Sequence, residues 1–147
     1  MSSTHRLEFQ AGAFLLRFAL GWLFLVAGIN KFAGGAAQAS RGIAEAFKDT
    51  WLPALMVEPY AAVLPSAEVA LGALLVLGLF RRIALPLGGL LMVSLAFGML
   101  VAGNGQVAAF NMFYVAMFAA ALMTSSWDRW TLDRLLFKRG GGRSGMT

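Results

Sequence analysis

The sequence predicts an all-α integral membrane protein, a four-helix bundle with an extra interfacial helix in its first external loop. Three observations carry that prediction. The chain is 59% hydrophobic and 13% charged, with a mean hydropathy of +0.72 over 147 residues, far outside the range of a soluble domain. Four apolar runs are each long enough to cross about 30 Å of hydrocarbon at ~1.5 Å per residue. Each run is apolar all round rather than in alternation, so helices fit and barrel strands do not. The expected layout is a short N-terminus over 1–10, a membrane domain over 11–136 and a basic, disordered tail over 137–147.

The first span runs from about Ala11 to Phe32, and Arg17 interrupts it. His5, Arg6 and the small residues Ala37–Gln38–Ala39 superficially imitate a cleaved signal peptide. The apolar stretch is too long for one and is broken by Arg17, so a retained span is expected. Between Gly34 and Pro59, Ile43, Ala44, Phe47, Trp51 and Leu52 fall at helical spacing opposite Arg41, Glu45, Lys48 and Asp49. That pattern predicts an amphipathic helix on the membrane surface, with Trp51 as an interfacial anchor. The second span, about Tyr60–Phe80, contains Glu68; the third, about Ile83–Ala102, has no charge; the fourth covers about Val107–Thr124.

Lys and Arg set the expected orientation. Arg6, Arg81, Arg82, Arg129, Arg134, Lys138, Arg139 and Arg143 fall in the N-terminus, the turn between spans two and three, and the tail. The loop after the first span carries only Lys31, Arg41 and Lys48, matched by Glu45, Asp49 and Glu58. Positive charge collects inside, so both termini are expected in the cytoplasm and residues 34–59 outside, in a bacterial inner membrane. The net charge of +5 is then an orientation signal and needs no nucleic acid as partner. Trp127 and Trp130 fit the inner interfacial belt.

Arg17 and Glu68 are the residues to explain. A charge inside hydrocarbon costs several kcal/mol and normally faces a bundle interior with a partner. At ~100° per residue, Arg17, Gly21, Phe24, Gly28 and Lys31 form one stripe, and Ala61, Leu64, Pro65, Glu68, Gly72, Leu75 and Leu79 another. Gly21, Gly28 and Gly72 mark where those faces pack backbone against backbone. An Arg17–Glu68 pair is the first expectation. Helix rise leaves about 10 Å between the two backbones along the membrane normal, so Lys31 is the competing partner for Glu68. Asn111 and Tyr114, at similar depth on the last span, are neutral donors that reach the same carboxylate.

Two accounts of this polar set stay open: a structural cluster that keeps the helices in register, or a ligand, quinone or proton site. The chain has no cysteine, and its one histidine, His5, precedes the first span. A thiol relay, a bis-histidine haem and a Ser-His-Asp set are therefore outside its own repertoire. The methionines on the last two spans, Met92, Met99, Met112, Met117 and Met123, share no ligand spacing and read as packing. No metal and no covalently bound cofactor are expected. Trp22, in mid-span, is placed to pack against a flat ligand.

The stretches LLRFALGWLFLVAGINKF, LPSAEVALGALLVLGLFRRIAL and SWDRWTLDRLL resemble the signatures of the DoxX family of small bacterial membrane proteins. The resemblance spans about Ala13 to Leu136 and marks Arg17, Gly21, Gly28, Lys31, Pro65, Glu68 and Gly72. It implies a quinone-linked subunit of a membrane oxidoreductase of the thiosulfate:quinone type, working with a soluble redox partner. In that reading Arg17, Glu68, Asn111 and Tyr114 would face a quinone. Lys31, Arg41 and Lys48 would attract an oxyanion from outside. The alternative is a non-catalytic structural or assembly subunit of a larger membrane complex; third is a small transporter, which would require a homo-oligomer. All three place membrane lipids among the partners.

Overall fold

The computed structural model describes residues 3–128 and 131–132. The expected tail over 137–147 and Trp130 lie outside the described residues. Five helices form: α1 Ser3–Ala33, α2 Ala36–Phe47, α3 Ala54–Leu77, α4 Arg81–Val101 and α5 Gly105–Thr124. All but α2 are long and apolar enough to cross a membrane. No strand occurs among the described residues.

The helix ends follow local chemistry. Gly78 takes the left-handed conformation (φ 68°) that a side chain resists, which closes α3. The Leu79 amide then donates to the Leu74 carbonyl at 2.9 Å and the Gly78 amide to Leu75 at 3.2 Å. This is a Schellman closure, and it stops α3 three residues short of the expected Phe80. Gly103 (φ 77°) ends α4 in the same way, with Asn104 N–H on the Met99 carbonyl at 2.8 Å. The Asn104 side chain turns to cap α5, accepting from the Val107 amide at 3.2 Å. At the other extreme, α1 starts at Ser3 rather than near Ala11, and α3 starts at Ala54 and runs through Pro59.

The four long helices stand in a ring, α1–α3–α4–α5, with unequal sides. α1 packs closely on α3 and α4 on α5, whereas the α1/α5 and α3/α4 contacts are sparse. Between the two tight pairs lies the core of Leu20, Phe24, Leu75, Leu85, Met92 and Phe118. The Phe24 and Phe118 rings meet across it with centroids 5.5 Å apart.

Contact between α1 and α3 is backbone on backbone. A Cβ added at Gly72 would lie 2.5 Å from the Leu25 amide nitrogen, one at Gly21 2.8 Å from that of Val76, and one at Gly28 2.9 Å from the Pro65 carbonyl. The buried residues of α3 are Val57, Ala61, Leu64, Pro65, Glu68, Gly72 and Leu75, one stripe at helical spacing.

α2 lies across the end of the bundle where α1 finishes and α3 begins, packed mainly on α3. Its inward face carries Ile43, Ala44 and Phe47, with Arg41, Glu45 and Lys48 exposed. Phe47 is buried and reaches α4, where a Cβ on Gly98 would stand 3.1 Å from its ring. Trp51 stays exposed and meets Phe97 edge-on at 6.3 Å.

Candidate functional site

Two ion pairs, one from the middle of α1 and one from its C-terminal end, hold three of the four buried polar side chains among the described residues; the fourth is Thr131. Near the end opposite α2, Arg17 donates from Nε to Asp128 Oδ2 at 2.6 Å, and both side chains are 2% exposed. Its Nη1 also donates to the Leu75 carbonyl and, at 3.1 Å, to the Val76 carbonyl. Those carbonyls belong to the last turn of α3, where the dipole is negative and backbone acceptors have few partners along the helix; the Leu75 carbonyl also takes the Gly78 amide. Arg17 therefore caps α3 from the neighbouring helix. Arg81, at the start of α4, donates to the Asp128 carbonyl at 2.5 Å, and Phe14 lies under the Arg17 guanidinium at 5.4 Å.

Towards the α2 end, Lys31 Nζ donates to both carboxylate oxygens of Glu68, at 2.5 and 2.6 Å. The Glu68 side chain is 3% exposed and that of Lys31 28%. The carboxylate sits inside the bundle while the ammonium reaches in from the rim.

The expected Arg17–Glu68 pair does not form, and the reason is directional. A helical side chain inclines towards the N-terminus of its own helix. α1 and α3 are antiparallel, so Arg17 leans away from the α2 end while Glu68 leans towards it. The same rule turns Lys31 inward, down onto Glu68. The competing partner wins.

Asn111 and Tyr114 do not meet Glu68 either, because α5 packs on α4 and α1. Tyr114 lies beside the core with Phe113 edge-on at 6.4 Å. It lines a hollow of about 570 Å³ on α5 with Gln106, Ala109, Phe110 and Phe113. The nearest hydroxyl pairing sits between α3 and α4, where Tyr60 and Ser94 share a 2.7 Å hydrogen bond. Trp22 faces outward, 55% exposed and stacked on Phe18, so it flanks no interior ligand space. Arg41 and Lys48 border a separate cleft beneath α2. Among the described residues no group of three or more His, Cys, Asp or Glu side chains converges on a metal position.

Asp128 is the functional residue that sequence reading missed. It sits in SSWDRW, between an interfacial Trp127 and the basic tail, and acids count for little in the orientation rule. The available signal was position: Asp128 follows the last span closely and emerges at the same end as Arg17. Phe9 and Trp127, with rings 5.5 Å apart, hold that segment against the start of α1.

Helices long enough to span, apolar outer faces and internally paired charges define a multi-pass helical membrane protein. The family model described as "Methylamine utilisation protein MauE" matches residues 10–109, and the chain belongs to that family. This overturns the expected DoxX membership: the match is to MauE, and none is made to DoxX. Glycine-lined first and second spans carrying an Arg, a Lys and a Glu are what any such bundle needs to pack and balance charge, so those motifs did not separate the two families. The thiosulfate reading, which rested on that resemblance, loses its support. No curated protein and no solved structure matches the chain.

Proposed function

We propose that this chain is a non-catalytic accessory subunit of a methylamine-utilisation system, embedded in the bacterial inner membrane with both termini inside. The observation that carries the reading is the commitment of the buried charges. Arg17 is held by Asp128 and the end of α3, and Glu68 by Lys31. Buried ions with saturated internal partners set helix register and exclude alternative packings. They are poorly placed to turn over a substrate, which needs groups that change partner during reaction. The family's name supplies the system in which the subunit works. The long exposed apolar faces of α1, α4 and α5 supply area for partner subunits as well as lipid.

The test uses the full chain in a host that grows on methylamine. Its deletion is expected to abolish that growth, and gentle extraction is expected to recover it with other proteins the same growth needs. Normal growth on methylamine after deletion would overturn the proposal, as would amine turnover by the purified chain alone.

A second reading, a quinone-facing subunit, is favoured by one observation, the aromatic hollow around Tyr114 and Phe113. Stoichiometric quinone in the lipid extract of the purified chain, lost on Tyr114→Ala, would support it over the first.

A further inference from the structure

Two clefts adjoin beneath α2 and share Phe47, Leu52 and Val57 as a common wall. The first, about 210 Å³, opens between α3 and α4 and is lined by Val57, Tyr60, Ser94, Phe97 and Gly98 as well as Phe47. Its surface is almost wholly apolar; the hydroxyls within it, Tyr60 and Ser94, are bonded to each other. It exists because α3 and α4 touch little along their length, and because Gly98 presents no side chain to it. The second, about 530 Å³, is bordered by Arg41, Glu45, Lys48 and Glu58.

The charges around the second cleft are not equivalent. Lys48 and Glu45 pair with each other one turn apart on α2. Arg41 and Glu58, on opposite walls, form no ion pair among the described residues. A guanidinium from α2 and a carboxylate from α3 bordering one cleft suit a ligand that carries both signs. The apolar cleft is smaller than the roughly 300–1,000 Å³ that encloses a drug-sized molecule, and its shape between two helices suits a single alkyl chain. It occupies the first turns of α3 and the last turns of α4, the depth at which the apolar face of an interfacial helix sits.

We infer that these clefts together form a binding site for one aminophospholipid, a phosphatidylethanolamine. One acyl chain lies between α3 and α4, the phosphate on Arg41 and the ammonium on Glu58. Arg is suited to phosphate through its planar fork of donors. The carboxylate selects an amine headgroup, since the ammonium pairs with Glu58 where the uncharged glycerol of phosphatidylglycerol offers only hydroxyls and the carboxylate of a serine headgroup would meet it with like charge. Partner subunits are not required for this site, which is complete within one chain.

The full chain is purified in a mild detergent, supplied with phosphatidylethanolamine or phosphatidylglycerol, and bound lipid is counted by native mass spectrometry. One phosphatidylethanolamine per chain is expected to persist at detergent levels that strip phosphatidylglycerol. Arg41→Gln is expected to lower retention about tenfold. Glu58→Gln is expected to abolish the preference for phosphatidylethanolamine, and Gly98→Leu, which fills the apolar cleft, to abolish retention of either. Arg41 and Glu58 are exposed, so those variants fold as the parent does. Equal retention of both lipids by the parent chain would overturn the inference, as would retention indifferent to Arg41→Gln and Glu58→Gln; either result means ordinary annular lipid. Soluble glycerophosphoethanolamine binding as tightly as the lipid would also overturn it, since the acyl cleft would then contribute nothing.

Discussion

Asp128 and Arg17 lie 111 residues apart in the chain and 2.6 Å apart in the bundle, and neither side chain reaches the surface. Asp128, just past the last span, is thus an internal part of the membrane domain. It neutralises the charge that the first span carries into the interior.

Removing one member of that pair is expected to cost far more than removing both. Asp128→Leu leaves a buried guanidinium without its carboxylate, a loss of about 3–5 kcal/mol. The double variant Arg17→Met, Asp128→Leu should recover most of it, short of the Val76 carbonyl that Arg17 also serves. Reversible unfolding of the four chains in detergent, arranged as a double-mutant cycle, measures the coupling. Simple additivity of the two single losses would sink this account.

The Lys31–Glu68 pair should respond asymmetrically. With Glu68→Gln, the partly exposed Lys31 can swing its ammonium out to the interface, so a loss of about 1–2 kcal/mol is expected. With Lys31→Met, the Glu68 carboxylate stays 3% exposed with no cation and the loss is larger. The swapped pair Lys31→Glu, Glu68→Lys should fare worse than either, because the longer cationic chain would then start from the interior. Equal effects of the two single changes would contradict the geometry.

Gly72→Ala probes the α1–α3 contact. Its Cβ would stand 2.5 Å from the Leu25 backbone nitrogen, and a backbone cannot rotate away as a side chain does. A loss of about 1–3 kcal/mol is expected from overpacking, although alanine is the better helix former. Gly12→Ala, where nothing lies within 4 Å, should instead be neutral or stabilising by up to about 1 kcal/mol. The same unfolding assay in detergent reads both.

Tyr60→Phe removes the hydroxyl bridge between α3 and α4. Hydrogen bonds between membrane helices average about 0.6 kcal/mol, so stability should fall only slightly. Distance measurements between spin labels on α3 and α4 should nonetheless broaden, because few other contacts hold that side of the ring. An unchanged distribution would show that the bridge does not govern the spacing.

Much of this architecture was legible in the residues. Run length and hydropathy gave the spans, and the 3.6-residue period gave the inward stripes on α1 and α3, down to Ala61, Leu64, Glu68 and Gly72. The amphipathic period of residues 43–47 gave α2. Side-chain lean was harder: depth arithmetic treats Arg17 and Glu68 as points on their backbones, whereas their Cβ vectors diverge. Asp128 was hidden because it lies beyond the apolar runs, where hydropathy carries no information about burial. Helix ends depended on particular glycines, and the left-handed turn at Gly78 moved the end of α3 inward from Phe80. The family itself was misread, since the motifs that suggested it are packing devices that do not belong to one membrane family alone.

The long separation of Arg17 from Asp128 also fixes an order of events during synthesis. At about 5–20 residues per second, the carboxylate emerges roughly 6–22 s after the arginine it neutralises. The α3 carbonyls arrive earlier, only 58 residues behind Arg17. Through that interval the first span carries a charge into the membrane without its carboxylate. A chain truncated before Asp128 would keep that arginine buried without its anion, so the last residues of the membrane domain complete the burial that its first span begins.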